Sequence, residues 1–114
     1  MQDTIFSRII RREIPADIVF EDDQVLAFRD ISPQAPVHVL FVPKQAYRSL
    51  NEVPASQAEL VGSLMLAAAE YARREGFAEG GYRLVMNVNG DGGQTVFHMH
   101  LHLLAGRAMQ GGFG

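Results

Sequence analysis

The chain has 114 residues, 47% of them hydrophobic and 20% charged, with a formal net charge of −3 and no cysteine. This describes one domain, 1–114, with a single core, and it excludes disulfides and thiolate metal sites. No basic run is present to neutralise a nucleic-acid backbone, and no apolar run approaches the ~18 residues of a membrane span.

The elements follow from local pattern. Asp3 or Thr4 caps a short first helix whose stripe is Ile5, Phe6, Ile9 and Ile10, and Pro15 stops it. The start Met1-Gln2-Asp3-Thr4-Ile5-Phe6 has no basic segment leading into a long apolar one, so no secretory signal is expected and the expected compartment is the cytoplasm. Strands follow near Ile18–Glu21 and Val25–Asp30, joined by the turn Glu21-Asp22-Asp23-Gln24. Ile31–Pro36, with two prolines, is a loop. Val37–Lys44 is apolar on both faces apart from His38, which makes it a central strand. The main helix spans about Ser56 to Glu75, with Leu60, Val61, Leu64, Met65, Ala68, Tyr71 and Ala72 on its helical period. Ser56 and Glu59 suggest a capping box there, and Gly76 a stop. Tyr82–Val88 reads as a strand, joined by the glycine-rich loop Asn89–Gln94 to an antiparallel partner. The tail, Gly106 to Gly114, is expected to be mobile or docked on a partner. The order of elements predicts an α+β fold, an antiparallel sheet with helices on one face.

The densest chemical signal is Phe97-His98-Met99-His100-Leu101-His102-Leu103-Leu104. Its alternation predicts a strand with imidazoles along one face. Neighbouring rings would stand roughly 6.7 Å apart along the strand and the outer pair roughly 13 Å. One metal ion is therefore poorly served by all three, although two of them with His38 leave a metal site open. A neutral imidazole is a competent nucleophile near its ordinary pKa of about 6.5. It needs one ring nitrogen free, which a backbone carbonyl accepting from Nδ1–H would ensure at Nε2. His100, in the middle, is the natural choice, with His102 reaching the same reacting group. Attack on phosphorus would build charge on non-bridging oxygens. Backbone N–H groups at Gly92 and Gly93 and the side chains of Gln94, Thr95 and Asn87 are candidate donors for it. From pattern alone, His38 reads equally well as a hydrogen-bonded core residue and Asp30 equally well as a turn cap. Ile5, Phe6 and Ile9 read as core or as the lining of a base pocket.

His98–Leu104 resembles the His-φ-His-φ-His-φ-φ signature of the histidine-triad (HIT) superfamily. Asp3–Phe6, Arg12–Ala16, Phe20–Asp23, Ala27-Phe28, Asp30–Pro36, His38, Val42–Lys44 and Gly92–Gln94 resemble its branch of histidine-triad nucleotide-binding proteins (HINT). The resemblance implies a five-stranded antiparallel sheet with two helices, a symmetric homodimer, and no cofactor or metal. It also implies a purine nucleoside phosphoramidate hydrolase that releases AMP or GMP through a nucleotidyl-histidine intermediate. In that scheme His100 is the nucleophile, His102 contacts the phosphate, and His98 and His38 orient the nucleophile and help pass protons. Asp30 accepts the ribose hydroxyls, and Ile5, Phe6, Ile9, Phe28 and Ile31 clamp the base. Asn87, Gly93, Gln94 and Thr95 contact the phosphate and leaving group. The competing readings are a nucleotide-binding adaptor, a zinc protein and a dinucleoside polyphosphate hydrolase. Two features depart from the branch. The tail Met109–Gly114 replaces a Trp-Pro-Pro ending that in eukaryotic relatives reaches across the dimer. Arg29 stands where histidine is frequent, which would alter purine preference if it faced the base.

Overall fold

The computed structural model describes residues 3–113; Met1, Gln2 and Gly114, which the readings of the N-terminus and tail include, lie outside the described residues. The elements are α1 (Ile5–Ile10), β1 (Ile18–Glu21), β2 (Val25–Arg29), β3 (Val37–Pro43), α2 (Ala58–Glu75), β4 (Arg83–Val85) and β5 (Leu101–Ala105). Two 3-10 turns, Leu50–Glu52 and Ala55–Gln57, precede α2. The strands form one antiparallel sheet in the order β1-β2-β3-β5-β4.

Local chemistry explains most of these boundaries. Thr4 caps α1 by accepting from the Ser7 N–H, and the Ser7 side chain accepts from the Thr4 N–H in return. The Asp22 carboxylate accepts from the N–H groups of Gln24 and Val25 and closes the β1–β2 turn. Gly76 ends α2 in the left-handed region at φ 86°, where a side chain would be strained.

Register then sorts side chains onto two faces. Phe28 opposes Leu40, and Leu40 opposes His102, so these three share a face. That face carries Leu26, Phe28, Leu40 and Val42 against Phe6 and Ile9 of α1. The other face carries Val25, Ala27, Val39, Phe41, Leu101 and Leu103 against Leu64, Ala68, Tyr71 and Ala72 of α2. The helices therefore cover opposite faces, not one face as the order of elements suggested. Strands apolar on both sides require cover on both sides, and one helix cannot supply it. Leu64 is fully buried in the α2 layer, where truncation to alanine costs roughly 2–5 kcal/mol.

Several boundaries differ from expectation. α1 ends at Ile10, with Arg12 at φ 62°, well before Pro15. No Ser56–Glu59 capping box forms, because the 3-10 turn runs straight into α2 and Gln57 at the cap makes no side-chain hydrogen bond. β4 is only three residues long. β5 starts at Leu101, so His98, in a bend, and His100 lie in the irregular segment leading into it. The tail folds back on its own chain, with Arg83 donating to the Gln110 carbonyl at 2.7 Å and its guanidinium stacked over Phe113. No helix among the described residues is long and apolar enough to cross a membrane.

Candidate active site

On the α1 face lies a cleft of about 470 Å³. Ile5, Phe6 and Ile9 of α1 line it together with Phe28, Leu40, Ile31 and Asp30. A volume of this order accommodates a small organic ligand. Ile31 is 95% exposed and forms the outer rim. Thr95 also lines the cleft, as do Ile14, Pro15, Ala16, Leu40 and Val96, which sequence reasoning did not assign to it. The apolar triplet Ile14-Pro15-Ala16, set in a polar linker, was the available signal.

None of the four histidines is among the residues lining this cleft, but His100 abuts it through Phe6. Phe6 packs edge-on against Phe28 on one side and against the His100 ring on the other, at 5.4 and 5.0 Å between centroids. His100 and His102 stand 5.0 Å apart. His100 Nδ1–H donates to the His98 carbonyl at 2.8 Å, which leaves Nε2 with a free lone pair. The carbonyl-fixed tautomer expected from the sequence is therefore present. The acceptor is the first histidine of the same motif, two residues upstream.

His98 is the most deeply buried of the four. Its ring is 1% exposed, and Nε2–H donates to the Pro43 carbonyl at 2.8 Å. The Met99 N–H also donates to the Tyr47 carbonyl. Together these bonds fasten the segment before β5 to the end of β3 and the segment that follows it.

His38 and His102 meet across β3 and β5, with His38 Nε2 2.9 Å from His102 Nδ1. His38 Nδ1 accepts from the Gln34 N–H at 3.0 Å. Asp30 Oδ1 accepts from the Ser32 N–H, and Oδ2 lies 3.6 Å from His38 Nε2. His102 Nε2 is buried with no hydrogen-bond partner among the described residues, and a buried polar atom of this kind calls for one. Burial lowers the pKa of all four rings, and the neighbouring His100 and His38 add to this at His102, bringing it to about 4. At neutral pH the cluster is uncharged.

Other expected ligand contacts lie elsewhere. The cleft lining does not include Asn87, Gly93 or Gln94. The Gly93 N–H donates to the Gly90 carbonyl and the Gln94 N–H to the Asn89 carbonyl, so neither points at an anion. The Gln94 amide is buried, donating to the Arg48 and Val96 carbonyls and accepting from the Asn89 N–H. It pins the 89–94 loop in place. A Cβ at Gly92 would collide with the Val88 carbonyl, so glycine there serves the turn. The Arg29 guanidinium is held by Asp17 at 2.7 Å. Arg29 is among the residues lining the cleft, but it opposes Val39, which belongs to the α2 face, so its side chain starts out from the other side of the sheet.

An α+β sheet that holds an uncharged imidazole, one nitrogen free, beside an apolar cleft ending in a carboxylate defines a class of proteins suited to covalent chemistry on a nucleotide-sized substrate. The HIT domain family model matches residues 11–109, and the chain belongs to that family. It is 55% identical over 108 residues to the purine nucleoside phosphoramidase of Escherichia coli (strain K12), covering 95% of this chain and 91% of the relative. Among solved structures, a HIT family hydrolase from Legionella pneumophila Philadelphia 1 superposes with a TM-score of 0.96 at 49% identity, covering 98% of this chain and 100% of that one. A histidine triad protein from Clostridium difficile gives 0.93 at 42% identity, covering 96% of each chain.

Proposed function

We propose that this chain is a purine nucleoside phosphoramidase of the histidine-triad nucleotide-binding branch. It hydrolyses the P–N bond of nucleoside 5′-phosphoramidates and releases AMP or GMP. The observation that carries this reading is the His100 tautomer: Nδ1–H is fixed on the His98 carbonyl while Nε2 stays unprotonated, next to a cleft of nucleotide size.

In this reading the base lies between α1 and the sheet, against Ile5, Phe6, Ile9 and Phe28. The ribose hydroxyls reach the Asp30 carboxylate at the cleft edge. His100 Nε2 attacks the α-phosphorus and displaces the amine, giving a nucleotidyl-histidine. The unpartnered Nε2 of His102 takes a non-bridging oxygen, whose charge grows in the transition state. Water then attacks the same phosphorus, releasing the monophosphate and restoring His100. His98 acts through its carbonyl and His38 through His102. Thr95, at the cleft wall, is placed for the phosphate or leaving group. No metal or cofactor takes part, and the cytoplasm is the compartment of action.

The site is proposed to work in a homodimer. Met65 and Leu66 on α2 are 44% and 71% exposed, and β4 is an edge strand of the sheet; both are ordinary subunit-contact features.

The test is His100→Ala assayed on adenosine 5′-phosphoramidate. AMP release is expected to fall by at least about 10³-fold, as nucleophile removal does in hydrolases with covalent intermediates. AMP binding, followed by calorimetry, should persist. Turnover retained in this variant refutes the assignment. Tight AMP binding by the wild type, with no turnover of any phosphoramidate, would favour the adaptor reading.

A further inference from the structure

We propose that the peptide N–H of Gln34 is a positioning element of the phosphate site: it fixes which nitrogen of His38 carries the proton and, through His38, makes the buried Nε2 of His102 a hydrogen-bond donor.

Two uncharged arrangements satisfy the 2.9 Å contact between His38 Nε2 and His102 Nδ1. In one, His38 carries its proton on Nε2 and donates it to His102 Nδ1, so His102 keeps its own proton on Nε2. In the other, His102 donates from Nδ1, His38 is protonated on Nδ1, and His102 Nε2 is a bare lone pair. The first arrangement offers a donor to a phosphoryl oxygen, and the second repels it. The ring nitrogens do not choose between them.

Gln34 chooses. A peptide N–H can only donate, and it lies 3.0 Å from His38 Nδ1. The second arrangement would press two hydrogens together in that contact. Protonating a ring is not an alternative route to a donor, because burial holds both rings below their ordinary pKa. The same lock bears on cation binding. Asp30, His38 and His102 bring ligand-type atoms within 4.8 Å of one another. A metal there needs a lone pair on His38 Nε2, where the lock keeps a proton.

The lock is braced from the far end of the motif. Arg107 donates to the Gln34 carbonyl at 3.0 Å, and the Gln34 amide donates to the Ser32 carbonyl at 3.1 Å. Gly106, at φ 96°, packs so close to Pro36 that a Cβ would sit 2.8 Å from the Pro36 Cβ. The residues just after β5 therefore hold the loop that sets the tautomer of a residue on β5.

The catalytic consequence rests on the proposed phosphoramidase reading, but the tautomers do not and are read without substrate. In ¹⁵N-histidine-labelled wild type at neutral pH, His38 and His102 should carry protons on Nε2, with His100 on Nδ1 as the internal contrast. A His102 protonated on Nδ1 alone, or doubly protonated, overturns the proposal. Gln34→Pro deletes that peptide N–H, together with the side-chain bond to the Ser32 carbonyl, which Gln34→Ala removes alone as the control. In Gln34→Pro, His102 should shift toward the Nδ1–H form, with kcat falling by about 10²-fold, the scale of one lost oxyanion donor, and little change in KM. A folded Gln34→Pro protein with wild-type tautomers and kcat overturns the proposal. Should that variant fail to fold, Arg107→Met loosens only the brace: a partial loss of kcat, rescued by Arg107→Lys, supports it, and unchanged kcat and tautomers refute the bracing role. Wild-type tautomers as stated, in a protein that cleaves no phosphoramidate, would fail the function and leave the lock standing.

Discussion

The four imidazoles set the pH behaviour of both catalysis and stability. In the proposed mechanism His100 attacks only when neutral, and burial lowers its pKa from 6.5. kcat/KM should therefore be flat at neutral pH and fall on an acid limb whose midpoint lies below 6.5, the ordinary value for histidine. Stability follows the same sign. The unfolded chain takes up protons at its histidines near pH 6.5, while the folded chain resists, so the unfolded state gains protons first. The contribution of the cluster is complete above 6.5 and is lost as pH falls toward about 4, the folded value at His102. Urea midpoints across this window should fall with pH, and a midpoint independent of pH would contradict the buried, neutral cluster. Gln94 makes a separate point. The sequence placed it on the ligand, but its amide bonds three backbone groups of its own chain. Gln94→Ala should destabilise by roughly 1–3 kcal/mol, since buried partners are left unpaired. A large rise in KM without loss of stability would restore the ligand role.

At the scale of elements, α1 is the weak link between fold and function. It has six residues, too few to persist without a cap and packing. Its Thr4–Ser7 box supplies the cap, and Asp3 reinforces it by accepting from Ser7 and Arg11, the latter holding its carboxyl well below the usual range. Thr4→Ala should cost about 1 kcal/mol. Because α1 carries Ile5, Phe6 and Ile9, KM should rise more than kcat falls. Steady-state kinetics beside a denaturation curve separates the two effects, and an unchanged KM would mean that α1 is not the base clamp. The strand boundaries show where local reading stops. The histidine alternation is genuine, but regular pairing begins only at Leu101. The preceding backbone turns its hydrogen bonds to Tyr47, and the His98 ring turns to Pro43. Those partners lie far away along the chain, where periodicity carries no information.

Across the whole molecule, the sheet places the two helices on opposite faces, and the proposed dimer would use the outer side of α2 and the β4 edge. Leu66→Glu puts a charge in the proposed contact, and light scattering should show the mass falling from two chains to one. A monomeric wild type would remove the dimer from the account. The sequence alone determined the core strands, the main helix and its glycine stop, the capped first helix, and the identity of the imidazole at the centre of the motif. All of these follow from spacing, propensity and capping among near neighbours. The tertiary structure decided which face each helix covers, that His98 is interior, that the 89–94 loop closes on itself, and which nitrogen of each ring is free. Those outcomes depend on pairs such as His38 and His102, 64 residues apart, and a hydrogen bond across that distance exists only once β3 and β5 have found their register.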